Sequence, residues 1–126
     1  MKLQPDRMEV QSVTGYGPGW LALNGERLPH SVLITSGGLR QALAARHPSE
    51  MGSADFAALA ELPVELVIYG CGERIQFPPP AWLAPLMERR MGLETMDTPA
   101  ACRTYNILAG EGRPVAALLL LPPAQP

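Results

Sequence analysis

Residues Asp97–Leu121 read DTPAACRTYNILAGEGRPVAALLLL, a helix followed at once by a buried strand. Thr98 is a good helix N-cap, and Pro99 at the first helical position gives up no useful hydrogen bond. Gly110 and Gly112 can close the helix in left-handed backbone. The run Val115–Leu121 has no polar residue, the pattern of a strand covered on both faces. Upstream, VELVIY at Val64–Tyr69 is a second strand of the same kind, closed by Gly70-Cys71-Gly72. Between the two, Pro78-Pro79-Pro80 is a stiff lead-in to a helix holding Trp82, Leu83, Leu86 and Met87. Pro85 requires that helix either to start near Ala84 or to bend there. Leu93–Met96 is a short strand. Strand, helix, strand, helix, strand from Val64 to Leu121 reads as a βαβαβ unit with right-handed crossovers.

The first half looks strand-rich. Glu9–Val13 alternates, and Trp20–Leu23 leads into Asn24-Gly25, a dipeptide suited to a two-residue hairpin turn. Glu26–Leu28 is the return arm, Ser31–Thr35 a further strand, and Ser36-Gly37-Gly38 a break. The segment from Gly38 to Met51 stays open between a helix, with Leu39, Leu43 and Ala44 on one face, and an extended chain. Ser53 can cap a helix over Ala54–Leu62, ended by Pro63. The fold class is α/β: one layered domain, residues 1–126, with a central mixed sheet built on the C-terminal βαβαβ unit plus an N-terminal β-hairpin. The ordered core is expected over about 9–121, with 122–126 an extended tail.

A chain of 126 residues has room for one core. Hydrophobic residues at 47% and charged residues at 17% exclude a disordered chain. A net charge of −2 and a pI near 5.6 give no reason to expect nucleic-acid binding. No run approaches the roughly 20 apolar residues that span a bilayer. The opening MKLQPDRMEV lacks an apolar signal core, and with two cysteines a cytoplasmic protein without a structural disulfide is expected.

The block Asp97-Thr98-Pro99-Ala100-Ala101-Cys102-Arg103-Thr104-Tyr105-Asn106-Ile107-Leu108, with Glu111-Gly112-Arg113, resembles the C-terminal signature of an uncharacterised domain family. That family includes the mitochondrial complex I assembly factor three and an adipogenesis-associated domain protein. Gly70-Cys71-Gly72 is similar to its Gly-x-Gly after a buried strand, and the Asn24-Gly25 hairpin also matches. The resemblance covers roughly Gly15 to Pro122. It implies a bacterial member of the family, with a layered α/β domain and a role beside a protein partner. It supplies no catalytic residues. The chain departs from the family at Arg90, a position near the helix end where relatives often carry glycine, and at Gly38–Ala45, where relatives look more strand-like.

Ligands in open α/β sheets collect beyond the carboxyl ends of parallel strands. That rim would gather Gly70, Cys71, Gly72, Asp97 and the amino end of the Thr98 helix, a place suited to an anion. The complete Gly-x-Gly-x-x-Gly fingerprint is absent, so the glycines more simply permit a sharp turn and Asp97 assists the helix end. Cys71 and Cys102 fall on the same rim and could lie close together, with Cys102 activated by the first helical turn. No histidine stands near them, and unpaired cysteines are commonly buried as small apolar groups. His30 and His47 lack ligand spacing, so no metal is expected. Arg103 and Asn106 share a helix face; they either present a guanidinium and an amide to a ligand or partner, or hold neighbouring loops. The structural role is preferred for both. Tyr105 and Leu108 should face the sheet. Glu111 and Arg113 either clamp the turn before the last strand or lie in water.

With no nucleophile–base pair, metal cluster or phosphate loop, the expected function is a non-enzymatic accessory domain without a cofactor. It would act with a protein partner, in assembly of a membrane or respiratory complex. The alternatives are a small-molecule (anion) protein or enzyme using the Gly70-Cys71-Gly72 edge with Arg103 and Asn106, and self-association through an exposed early strand.

Overall fold

The computed structural model describes residues 10–123. Five strands make the central sheet: β4 (Ser31–Thr35), β5 (Arg40–Leu43), β6 (Leu66–Gly70), β7 (Gly92–Met96) and β8 (Val115–Leu119), in the order β5-β4-β8-β6-β7. The strands β7, β6 and β8 are parallel, while β4 runs antiparallel to β8 and to β5, so the sheet is mixed. Parallel neighbours need crossovers, and two helices supply them. Helix α2 (Ala84–Glu88), entered through a 3-10 turn at Pro80–Leu83, joins β6 to β7; α3 (Thr98–Gly110) joins β7 to β8. Pro85 therefore sits in the first turn of α2, where its missing N–H costs nothing.

Each residue of β8 is buried, and its side chains divide between two cores by the period of two. Val115, Ala117 and Leu119 join Ile34, Ile68, Cys102 and Tyr105 on one side. Ala116 and Leu118 join Phe56, Val67, Tyr69, Cys71 and Leu86 on the other. The second core is covered by α1 (Ser53–Leu59) and α2. There Phe56 meets Tyr69 edge-on at 5.3 Å and leans on Trp82 at 5.8 Å.

The first core is covered by α3 and by a separate antiparallel sheet of β1 (Val13–Gly17), β2 (Trp20–Leu23) and β3 (Glu26–Leu28). The Asn24-Gly25 turn forms as expected, with positive φ at both residues, 48° and 89°. Strand β1 begins at Val13 rather than ending there as the alternation predicted; Glu9 lies outside the described residues. What fixes β1 is Trp20, whose indole lies flat against the strand's glycines. A Cβ on Gly17 would stand 2.5 Å from the indole nitrogen. Arg27 stacks on the same ring at 3.8 Å, completing the pile.

The undecided segment after Gly38 is extended: β5 pairs along β4, followed by a 3-10 turn at Pro48–Glu50. Helix α1 ends at Leu59, short of Pro63, and its amino end is met by the Asp55 carboxylate on the Gly52 N–H at 2.8 Å. Arg90, read as standing where relatives carry glycine, adopts φ 55° just after α2, the backbone that favours glycine.

Candidate functional site

Because β6, β7 and β8 run in one direction, their carboxyl ends arrive together. Gly70 pairs in register with Met96 on one side and Leu119 on the other. The rim that follows is stitched by hydrogen bonds. Cys71 N–H donates to Met96 C=O at 3.0 Å and Leu120 N–H to Gly70 C=O at 2.9 Å. Thr98 then binds the three exit segments together. Its N–H donates to Gly72 C=O at 2.9 Å, its hydroxyl accepts from Gly72 N–H at 2.9 Å and donates to Leu120 C=O at 2.6 Å.

That duty displaces Thr98 from the cap expected of it. Asp97 is the N-cap, accepting from Ala100 N–H at 2.8 Å, and Thr98 is the first helical residue. Both residue types cap well; the buried hydroxyl bond to Leu120 decides between them. Gly70 is required by close approach, since a Cβ there would lie 2.8 Å from the Ala101 Cβ. At the other end of the helix, Gly112 takes φ 84° while Gly110 remains helical.

Among the described residues the rim holds no vacant anion cradle. Of the first helical N–H groups, Thr98 donates to Gly72, Ala100 to the Asp97 carboxylate and Ala101 to Asp97 C=O, while Pro99 has none to give. The Asp97 carboxylate also brings negative charge to the helix end, which opposes an anionic ligand.

The two cysteines do not meet. Cys71 lies in the core beneath α1 and α2, Cys102 in the core beneath α3. Burial pushes both thiols up, Cys102 to about 12, which keeps them protonated and unreactive at neutral pH. The Cys71 sulfur is further engaged: its S–H is within reach of Arg74 C=O and Met96 C=O, each at 3.2 Å, and it accepts from Gln76 N–H at 3.1 Å.

Arg103 and Asn106 both turn to β1. Asn106 accepts from Val13 N–H at 2.8 Å and donates to Val13 C=O at 2.7 Å, replacing a strand neighbour where β1 has a register irregularity. Arg103 donates to the Tyr16 hydroxyl at 2.7 Å. Tyr105 faces the core as expected and donates to Gln11 C=O at 2.7 Å. Arg113 clamps Glu65 across the turn before β8, with Nε at 2.9 Å from the carboxylate. His47 caps the 3-10 turn at Pro48–Glu50, and His30 contacts Ser31 C=O at 2.9 Å. Among the described residues no group of three His, Cys, Asp or Glu side chains is arranged to hold a metal.

Over the rim lies a cleft of about 570 Å³, walled by Tyr16, Pro18, Leu21, Pro99, Leu121 and Pro122, with Glu73 and Asp97 among its polar groups. The sequence did not point to Tyr16 or Glu73. They come from the β1–β2 hairpin and from the loop after β6, and no local spacing joins them. Of the residues proposed from sequence, Gly72, Asp97 and Thr98 border this cleft. Gly70 is packed under α3, Cys71 is in the opposite core, and Arg103 and Asn106 secure the hairpin.

These features define a three-layer α/β domain whose strand-exit rim is locked by its own hydrogen bonds and roofed by a small second sheet. Residues 13–120 match the model of a family described as a protein of unknown function (DUF498/DUF598), and the chain belongs to that family. It is 30% identical over 128 residues to the human NADH dehydrogenase [ubiquinone] 1 alpha subcomplex assembly factor 3, a match covering 96% of this chain and 66% of that protein. The chain thus spans less than two thirds of that relative's length. An uncharacterised Rhodobacter capsulatus protein is 37% identical over 117 residues, covering 90% of this chain and 88% of that one. A crystal structure of a Bordetella parapertussis protein superposes with a TM-score of 0.81 at 33% identity, covering 88% of this chain and 95% of the other. Among the described residues no helix is long and apolar enough to cross a membrane.

Proposed function

We propose that this protein is a non-enzymatic cytoplasmic accessory domain that engages a protein partner during assembly of a membrane or respiratory complex. The observation that carries the reading is that the rim's hydrogen-bonding groups are spent on the fold. Thr98, Gly72, Ala100 and Leu120 satisfy one another or Asp97, and both thiols are buried, so the chemistry an enzyme would use is already committed. Similarity to a protein named as an assembly factor supports the same direction.

The test uses a Rhodobacter capsulatus strain lacking its 37%-identical relative. Assembled NADH dehydrogenase, measured on native gels, should fall in that strain and recover when this chain is supplied. An unchanged level in the deletion strain, or turnover of a metabolite by the purified chain, would count against it. The small-molecule alternative keeps one favourable observation, the cleft of about 570 Å³, but its acidic lining disfavours the anion first associated with that edge.

A further inference from the structure

We propose that the cleft over the strand-exit rim seats a lysine or arginine side chain presented by an extended segment of a protein partner. This rests on the interaction-domain reading and names what the domain would grip. The cleft is an apolar groove in most of its wall: Pro18, Leu21, Pro99, Leu121 and Pro122 line it, with the Tyr16 ring at one side. Such walls suit the methylene stem of a long basic side chain, and Tyr and Pro surfaces suit the extended backbone that would carry it.

Charge selects the occupant. Thr98 N–H donates to Gly72 C=O at 2.9 Å, so the residues beside that bond, Asp97 and Glu73, leave the backbone as neighbours. The Asp97 Oδ1 is held by Ala100 N–H at 2.8 Å, while Glu73 has no hydrogen bond or ion pair among the described residues. Among the described residues no lysine or arginine lines the cleft. Arg103 is engaged with the Tyr16 hydroxyl at the wall, and Arg74, which follows Glu73 in the chain, is not among the lining residues and makes no ion pair among the described residues. Two carboxylates at a greasy groove therefore have no ion-pair partner among the described residues, and a partner's ammonium or guanidinium supplies one. A free diamine would satisfy the carboxylates but leave the proline and leucine walls bare, which favours a peptide as the source.

The test is an amide-resolved NMR titration of the full chain with acetyl-Gly-Pro-Arg-Pro-Gly-amide, the same peptide carrying citrulline, and putrescine. The arginine peptide should give saturable shifts at Gly17, Gly19, Gly72, Glu73 and Asp97. The citrulline peptide should bind at least about tenfold more weakly, because it keeps the shape and loses the charge. The double substitution Glu73→Gln with Asp97→Asn should weaken the arginine peptide by a similar factor, with an unchanged melting temperature, since Asn also caps a helix. Equal binding of both peptides, shifts at other sites, no shifts, or putrescine binding as tightly as the peptide would each overturn the proposal. Should the double variant still restore NADH dehydrogenase in the Rhodobacter strain, the cleft assignment fails while the accessory role stands.

Discussion

At the scale of single residues, the Thr98 hydroxyl has the most to lose. It is buried, donates to Leu120 C=O and accepts from Gly72 N–H, and neither partner has water to turn to. Thr98→Val keeps the shape and leaves both partners unsatisfied, which should cost about 2–4 kcal/mol at roughly 1–3 kcal/mol per orphaned group, less solvent relaxation. Thr98→Ser keeps both bonds and should lose no more than about 1 kcal/mol. Urea denaturation of the two variants measures the difference; equal stabilities would remove the hydroxyl from the account. Residue identity also shows where sequence reading stopped. Asp97 is the better cap by residue type, but Pro99 suits the first helical position and so favours Thr98, and the local rules conflict. The deciding bond comes from Leu120, brought near only by the finished sheet.

At the scale of elements, α3 ties the small sheet and the segment leading into it to the rest of the molecule through two adjacent side chains. Asn106 of α3 satisfies both backbone groups of Val13, and Tyr105, its neighbour in the chain, donates to Gln11 C=O. Asn106→Ala should therefore open the β1–β2–β3 sheet locally and raise amide exchange at Val13 and its neighbours by about tenfold or more, roughly the loss of one to two hydrogen bonds. Amides of β6 and β8 should keep their protection, and a uniform rise across both sheets would show that the layers open together. The elements that sequence announced share a trait: their signals are local. Asn24-Gly25 needs only its own backbone, and Val64–Tyr69 and Val115–Leu121 needed only their apolar runs, though the strands stop at Leu66–Gly70 and Val115–Leu119. Strand β5 was ambiguous because Arg40, Gln41 and Ala42 are exposed on a sheet edge, and only pairing with β4 makes them a strand. The cleft was half legible. Asp97, Thr98 and Gly72 follow from the rule for parallel strand ends, whereas Tyr16 arrives from a second sheet whose docking no periodicity encodes.

At the scale of the whole molecule, both cores enclose ionisable groups that must stay neutral. Burial raises Cys102 and Tyr69 to about 12, and moves Cys71 and Tyr105 up as well. These are acids whose folded pKa exceeds the unfolded one. Above about pH 9 the unfolded chain sheds protons that the folded chain retains, so stability falls with rising pH and keeps falling toward about pH 12. Below that window their contribution is complete. Urea midpoints should decline from about pH 8 to pH 10.5, with a slope of up to roughly 1.4 kcal/mol per pH unit for each group. Cys102→Ala should flatten part of that decline; an identical slope would assign it elsewhere. The strand order carries a further consequence, for biosynthesis. Strand β8 fills the middle of the sheet, between β4 and β6, although it follows every other strand in the chain. Until residues 115–119 leave the ribosomal tunnel, the β4–β5 pair and the β6–β7 pair have no common neighbour, and each shows a bare apolar edge. A nascent chain stalled before Val115 would be a sticky pair of half-sheets in want of a chaperone, and its release would complete both cores in one step.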